Sequence, residues 1–239
     1  MAGEVRFDLA GVRAGVVASL PIALSVFAYG CVFGLLARQA GMRFTDATLM
    51  SSLVYAGSAQ FVALGLWISP LPIGALVLTT LVINLRHLLM GAAMRPWFGA
   101  LPPLVAYGAM FFLVDESWAL AMREFARGEP NAGFFVGTGI PIFLGWVSAT
   151  IVGFAVGTAI RNPAEFGLDF AFTAVFIALL VGLWRGRRDI IPWITAALTA
   201  VAAEHYVPGK WYILIGAIAG TLVGALITPR GRKVPGDAE

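Results

Sequence analysis

VLTTLVINLRHLLMGAAM, residues Val77 to Met94, is an apolar run of helix length that carries Asn84, Arg86 and His87 within four consecutive positions. If the segment crosses a bilayer from about Ile73 to Arg95, a rise of ~1.5 Å per residue puts Arg86 near the middle of a hydrocarbon layer ~30 Å thick, too deep to snorkel. A lone cation at that depth costs ~3 kcal/mol on insertion scales, so Arg86 must face protein or water and have a partner. At 100° per residue, Thr80, Asn84, His87 and Gly91 share one face, and Thr79, Arg86, Met90 and Ala93 lie on nearly the opposite one. The helix therefore has two interior-facing sides. Two readings stand: an ion pair and an interhelical hydrogen bond that only hold the bundle together, or polar groups lining a path for a solute or proton.

Composition sets the frame. Of 239 residues, 59% are hydrophobic and 12% charged, against about 25% charged in soluble domains, which indicates an integral membrane protein. The 28 Gly and 13 Pro lie within apolar runs, as in helical spans, and the runs do not alternate as barrel strands would. A net charge of +3 is accounted for by loop residues that set topology and does not point to nucleic acid. Cys31 is the only cysteine, so no intrachain disulfide is possible, and no residue cluster calls for a metal or cofactor.

The remaining segments follow from the same reading. Residues 1–13 are a polar lead-in to the run Ala14 to Ala37, too long for a signal-peptide core and therefore an uncleaved span, kinked near Pro21. The second segment, from Ala47, holds Ser51, Ser52, Tyr55, Ser58 and Gln60 around the small stretch Ala56-Gly57-Ser58-Ala59. That composition suits either ordinary small-residue packing or a helix broken midway, or re-entrant, with its backbone open to a cavity. Leu104 to Met122 is expected as the fourth span, with Asp115 and Glu116 the only acidic residues well inside an apolar run. One of them should pair with Arg86, because attraction offsets desolvation only when opposite charges touch; the other is free to exchange protons. Gly133 to Gly157, Phe170 to Trp184, Ile190 to Val207 and Trp211 to Thr228 complete the set, the last two as a hairpin around Pro208-Gly209.

The expected architecture is thus all-α, a polytopic integral membrane helical bundle of seven or eight hydrophobic segments forming a single domain over 1–239, with possible halves 14–122 and 133–228. With eight spans, ten basic residues (Arg6, Arg13, Arg123, Arg127, Arg185, Arg187, Arg188, Arg230, Arg232, Lys233) fall on one side and five (Arg38, Arg43, Arg95, Arg161, Lys210) on the other. The C-terminus is then expected in the cytoplasm. A re-entrant second segment exchanges Arg6 and Arg13 for Arg38 and Arg43 and leaves ten against five, so charge does not separate seven spans from eight. A shift of 123 positions superposes Arg38 on Arg161 and Asp46 on Asp169, a weak sign of two related halves, inverted or parallel according to the span count.

Four blocks in this order, Leu49 to Phe61 with Ala56-Gly57-Ser58-Ala59-Gln60, Ile83 to Ala92 with Asn84-Leu85-Arg86-His87, Asp115-Glu116, and Gly167-Leu168-Asp169-Phe170-Ala171, resemble the AzlC family, large subunits of bacterial branched-chain amino acid exporters. The resemblance covers nearly the whole chain. Tyr55 stands where many relatives are expected to carry Phe, a departure that bears on substrate fit. The resemblance implies a multi-pass protein of the bacterial cytoplasmic (inner) membrane that works with a small AzlD-type membrane subunit. It would export valine, leucine, isoleucine or similar amino acids, driven by the proton gradient. The residues are compatible on their own terms: a zwitterion needs oxygen acceptors for its ammonium, amides or a cation for its carboxylate, and an apolar pocket. Tyr55, Gly57, Ser58, Gln60, Asn84 and His87 are the candidate substrate-binding residues, with Arg86, Asp115 and Glu116 for proton coupling or a buried ion pair. Two other classes compete. An intramembrane serine protease would use Ser58 with His87, and a non-transporting assembly subunit would tolerate polar substitutions inside its spans.

Overall fold

The computed structural model describes residues 5–125, 127–128, 130–159, 177, 181, 186–207 and 211–227. The apolar runs among them are helical, as is required where every backbone polar group must be satisfied within its own segment. The expected Phe170–Trp184 span, the Gly167 to Ala171 block, the Pro208-Gly209 turn and the repeat partners Arg161 and Asp169 lie outside the described residues. The chain divides into two compact units, Met1–Leu71 with Leu76–Ala171, and Pro72–Ala75 with Phe172–Glu239.

In the first unit, α1 (Leu9–Gln39), α4 (Ile73–Phe98, its first residues in the second unit) and α7 (Ala132–Ala159) are each long and apolar enough to cross a membrane. Pro21 sits inside α1, Pro96 inside α4 and Pro141 inside α7. The sequence placed the end of the third span at Arg95-Pro96-Trp97; α4 instead runs on to Phe98, and Met94 and Phe98 are buried with Phe125 and Phe135 in one apolar cluster.

Helices α1 and α7 form the principal contact. Both faces are stripes of small residues: Gly11, Gly15, Ser19, Ala23, Gly30 and Gly34 on α1, and Gly133, Gly137, Ala149, Gly153 and Gly157 on α7, all buried. A side chain at Gly15 would collide with the Phe134 carbonyl, one at Gly34 with the Thr150 carbonyl, and one at Gly153 with the Cys31 carbonyl. Lipid tails are as apolar as leucine, so such helices associate through close backbone approach, which only small residues allow.

The direction of this contact bears on topology. Gly15 lies against Phe134 and Thr138, Gly34 against Thr150 and Phe154, so α1 and α7 run parallel. An odd number of crossings must separate them. A re-entrant second segment followed by two full spans would make them antiparallel, and that arrangement is excluded. The two N-caps, 123 residues apart, are joined: Asn131 Nδ2 donates to Asp8 Oδ1 at 3.0 Å. Asp8 Oδ1 also accepts from Gly11 N at 2.6 Å, and Asn131 Oδ1 accepts from Gly133 N at 2.9 Å. The main chain closes the junction, with Arg6 N donating to Pro130 O at 3.2 Å and Ala132 N to Arg6 O at 2.8 Å.

Asp8 lies ahead of the span, and the Gly11 amide, then the Asn131 amide, hold its carboxyl below the usual carboxylate range. Its stabilising contribution is complete above the unfolded value of about 4 and is lost as pH falls through the depressed folded value. Acidification of purified protein below about pH 4 is expected to lower the thermal midpoint, and Asp8→Asn to flatten that part of the curve. An unchanged slope in the variant would refute the assignment.

The second and fourth segments are both interrupted. The second comprises α2 (Phe44–Leu49), a π-helical turn over Met50–Val54, and α3 (Gly57–Gly65). Tyr55, at φ 45° and ψ 44°, is in the left-handed region, a conformation costly for a bulky residue and held here by surrounding contacts. The fourth, expected as one span from Leu104 to Met122, is two short helices, α5 (Pro103–Met110) and α6 (Asp115–Phe125). Ser117 explains the break: its hydroxyl accepts from Val114 N at 3.1 Å and donates to Phe112 O at 2.6 Å, satisfying backbone that a continuous helix would have paired. Asp115 and Glu116 then occupy the first turn of α6, where the helix dipole favours negative charge.

In the second unit, α8 (Ile190–Tyr206) follows a 3₁₀ turn at Arg187–Asp189 and pairs with α9 (Tyr212–Ile227). Gly216 meets Ala200, Gly220 meets Ala196 and Gly224 meets Pro192, so the pair is antiparallel, as the hairpin reading requires.

Candidate functional site

The break at Tyr55-Ala56 is held against α7 by a buried polar chain. Trp146 Nε1 donates to Gln60 Oε1 at 3.0 Å, Gln60 Nε2 donates to Ser51 Oγ at 3.1 Å, and Ser51 Oγ lies 2.8 Å from Thr150 Oγ1. Thr150 spends its proton on Trp146 O at 2.9 Å, so Ser51 is the donor to Thr150. Gln60 is 1% exposed, and both ends of its amide are committed within this chain. Phe33 and Phe61 pack on the Trp146 ring, with centroids 5.8 and 6.3 Å away. Gly57 at the start of α3 packs closely on that ring, where an added Cβ would lie 3.2 Å away and the indole would have to shift by a few tenths of an ångström. The residues that fix the break are thus Trp146 and Thr150, neither singled out from sequence. The available signal was an indole N–H inside a Gly-rich apolar helix, a donor that must find a partner when buried.

Two cavities open beside the break. One, of about 250 Å³, is lined by Tyr55, Ala56, Asn84, His87, Phe111 and Leu113 among others. The second, of about 510 Å³, is lined mainly by apolar residues of the second segment and α4, including Val54, Ala59, Trp67, Leu81, with Gln60, Thr80 and Asn84. Val54 and Asn84 border both. Tyr55 is 6% exposed, with its ring against Phe111 and Phe143 at centroid distances of 6.0 and 5.0 Å, and its hydroxyl has no partner. Asn84 Oδ1 is likewise buried without a donor. Buried polar atoms of this kind call for a ligand or water.

The charged residues form a second cluster. Arg86 Nη1 donates to Asp115 Oδ2 at 2.5 Å and Nη2 to Ser58 Oγ at 2.7 Å, while Nε is buried and unpartnered. Of the two candidate carboxylates, Asp115 takes the guanidinium; Glu116 is half-buried next to it on the first turn of α6. The pair is not sealed: the Arg86 side chain is 35% and that of Asp115 51% exposed. Ser58 therefore faces a guanidinium, which cannot act as a base. His87 Nδ1 lies 3.3 Å from the Asn84 carbonyl. Neither contact provides the nucleophile-base bond that a serine protease needs.

The six candidate binding residues are thus distributed unevenly. Tyr55, Asn84 and His87 line the smaller cavity; Gln60 borders the larger one with its amide already bonded; Ser58 sits with Arg86; and Gly57 is a clearance for Trp146.

The chain is 26% identical to the branched-chain amino acid transport protein AzlC of Bacillus subtilis over 214 residues, covering 89% of this chain and 82% of that protein. It is 26% identical to the inner membrane protein YgaZ of Escherichia coli, covering 87% and 85% respectively, and 28% identical to a membrane protein of Haemophilus influenzae, covering 90% and 87%. No solved structure matches the chain. The AzlC protein family matches residues 21–160, more than half of the chain and the whole of the broken second segment, α4 and the Arg86–Asp115 pair, and the chain belongs to that family.

Proposed function

We propose that this chain is a secondary transporter exporting branched-chain and similar apolar amino acids across the bacterial cytoplasmic membrane. It is proton-driven and works with a small AzlD-type membrane subunit, its C-terminus in the cytoplasm. Amino acid transport is supported by the name of the Bacillus subtilis relative. Direction, coupling and companion follow from the family resemblance, and the side of the C-terminus from the ten-to-five balance of basic residues.

One observation carries the assignment to a site. Asn84 stands where two cavities meet beside an interrupted helix, with its carbonyl oxygen buried and without a donor. That oxygen suits an ammonium group, and interrupted helices at mid-membrane are where transporters place small charged solutes. At about 250 Å³ the cavity lies just under the ~300 Å³ floor typical of drug-sized ligands, appropriate to a smaller solute. Leu53, Val54, Met110, Phe111 and Leu113 supply the apolar lining a branched side chain requires.

Efflux of labelled leucine from cells expressing the chain, with any copurifying companion, tests the reading. Asn84→Ala is expected to reduce efflux at least ~10-fold at equal membrane abundance, the effect of one hydrogen bond to a charged group. Undiminished efflux would remove Asn84 from the route, and absence of any amino acid flux in the wild type would end the transport reading.

A further inference from the structure

His87 stands on the same face of α4 as Asn84, three residues on, and both line the smaller cavity with Tyr55 and Phe111. Among the described residues that cavity has no carboxylate, arginine or lysine in its wall: Arg86, Asp115 and Glu116 all lie outside the lining. The imidazole is therefore the lining group that changes charge in the range of about pH 5 to 8. Its tautomer follows from its hydrogen bond. The Asn84 carbonyl has no proton to give, so Nδ1, 3.3 Å away, is the donor, and in the neutral ring Nε2 carries a bare lone pair. Nε2 makes no hydrogen bond among the described residues. The cavity wall thus holds two acceptors about one helical turn apart, His87 Nε2 and the buried Asn84 Oδ1, neither with a donor.

We infer that Nε2 of His87 is the proton-coupling site, at which a proton and the ammonium group of the transported amino acid compete for one lone pair. This deepens the transporter reading and rests on it. With the ring neutral, the ammonium donates to Nε2 and to Asn84 Oδ1 together. With a proton on Nε2 the ring is a cation, and an ammonium brought beside it meets like charge and finds no lone pair. Binding of the amino acid to the protonated form therefore sends that proton to water; the N–H bond at Nε2 breaks and a hydrogen bond from the ammonium takes its place. Proton-driven export requires this mutual exclusion, since the proton enters as the solute leaves. The charges acting on the ring from outside the cavity are Arg86, the preceding residue of α4, and Asp115 of α6. They are bonded to each other, and their effects on the ring oppose. Glu116, next on α6, acts on Tyr55, the other titratable group in the lining.

The test is equilibrium binding of labelled leucine to the purified full chain with its copurifying companion, between about pH 8 and about pH 5.5, beside 4-methylvalerate, which lacks the ammonium. The leucine dissociation constant is expected to rise several-fold as the solution is acidified, and that of 4-methylvalerate not to rise. His87→Gln keeps an acceptor but takes up no proton, so its leucine binding should be weaker than the wild type's at about pH 8 and flat with pH. A second readout needs no variant: in weak buffer with a pH indicator, leucine binding at about pH 6 should release protons and 4-methylvalerate binding should not. Leucine affinity that is flat or strengthens in acid overturns the shared site, as do absence of proton release and an unchanged pH slope in monodisperse His87→Gln. In each of these cases leucine still binds and the transporter reading stands. Failure of leucine to bind the wild type at any pH overturns both.

Discussion

Gly34→Leu is expected to abolish accumulation of folded protein, or to lower its stability in detergent by at least ~3 kcal/mol, the upper end of what overpacking costs. The reason is the partner: the new side chain would meet the Thr150 carbonyl and the Phe154 amide of α7, which are backbone and cannot rotate away. Gly153→Leu, facing the Cys31 carbonyl from the other helix, should behave alike. Gly108→Ala on α5, where nothing described lies within 4 Å of the added carbon, is the control and should be neutral or slightly stabilising. Thermal unfolding followed by size-exclusion chromatography distinguishes the cases. A Gly34→Leu protein that elutes and melts like the wild type would show that α1 and α7 do not pack as described.

The second large effect concerns charge. Arg86→Leu is expected to destabilise the protein by about 2–3 kcal/mol, more than the double substitution Arg86→Leu/Asp115→Leu, because a carboxylate left without its cation inside a span is worse than none. The magnitude is set below the ~3–5 kcal/mol found when fully buried pairs are broken, since the two side chains are 35% and 51% exposed. The double-mutant cycle, read from unfolding in detergent, should give a coupling of about 1 kcal/mol or more. Losses that simply add in the double variant would mean that Arg86 and Asp115 stabilise the protein independently, despite their contact.

The two predictions address different layers. The glycine stripes act on assembly, where the gain comes from contact between backbones and no polar group is involved. The Arg86–Asp115 pair acts through charge, and because both side chains are partly exposed it is less deeply desolvated than a sealed pair would be. The Trp146–Gln60–Ser51–Thr150 chain connects the layers, because it fixes the interrupted helix to α7 at the level where the cavities meet.

Much of the site was legible along the chain. Arg86 in the middle of an apolar run demanded a carboxylate, and only Asp115 and Glu116 were available within another span. The cluster of small and hydroxyl residues at 56–60 left a break and ordinary small-residue packing both open, and the structure shows the break. Less legible was the role of Gln60. Read from sequence it was a candidate ligand, whereas its amide is spent on Trp146, 86 residues away, and on Ser51. No local pattern distinguishes an amide aimed at a cavity from one aimed at an indole. The fourth segment was also read as continuous, since hydropathy averages over ~19 residues and does not register one hydroxyl, Ser117, that pairs the backbone at the break.

The sequence by itself determined that this protein is a helical membrane bundle, where its hydrophobic segments lie, and that Arg86 must be neutralised. These depend on composition and on the cost of moving each residue from water to lipid, which are properties of short stretches. Only the tertiary structure decided that α1 and α7 run parallel, that Asp115 and not Glu116 meets Arg86, and that Asn84 is left with a bare oxygen between two cavities. Those are relations between residues far apart in the chain, fixed by which backbones can approach closely and which polar atoms then find partners.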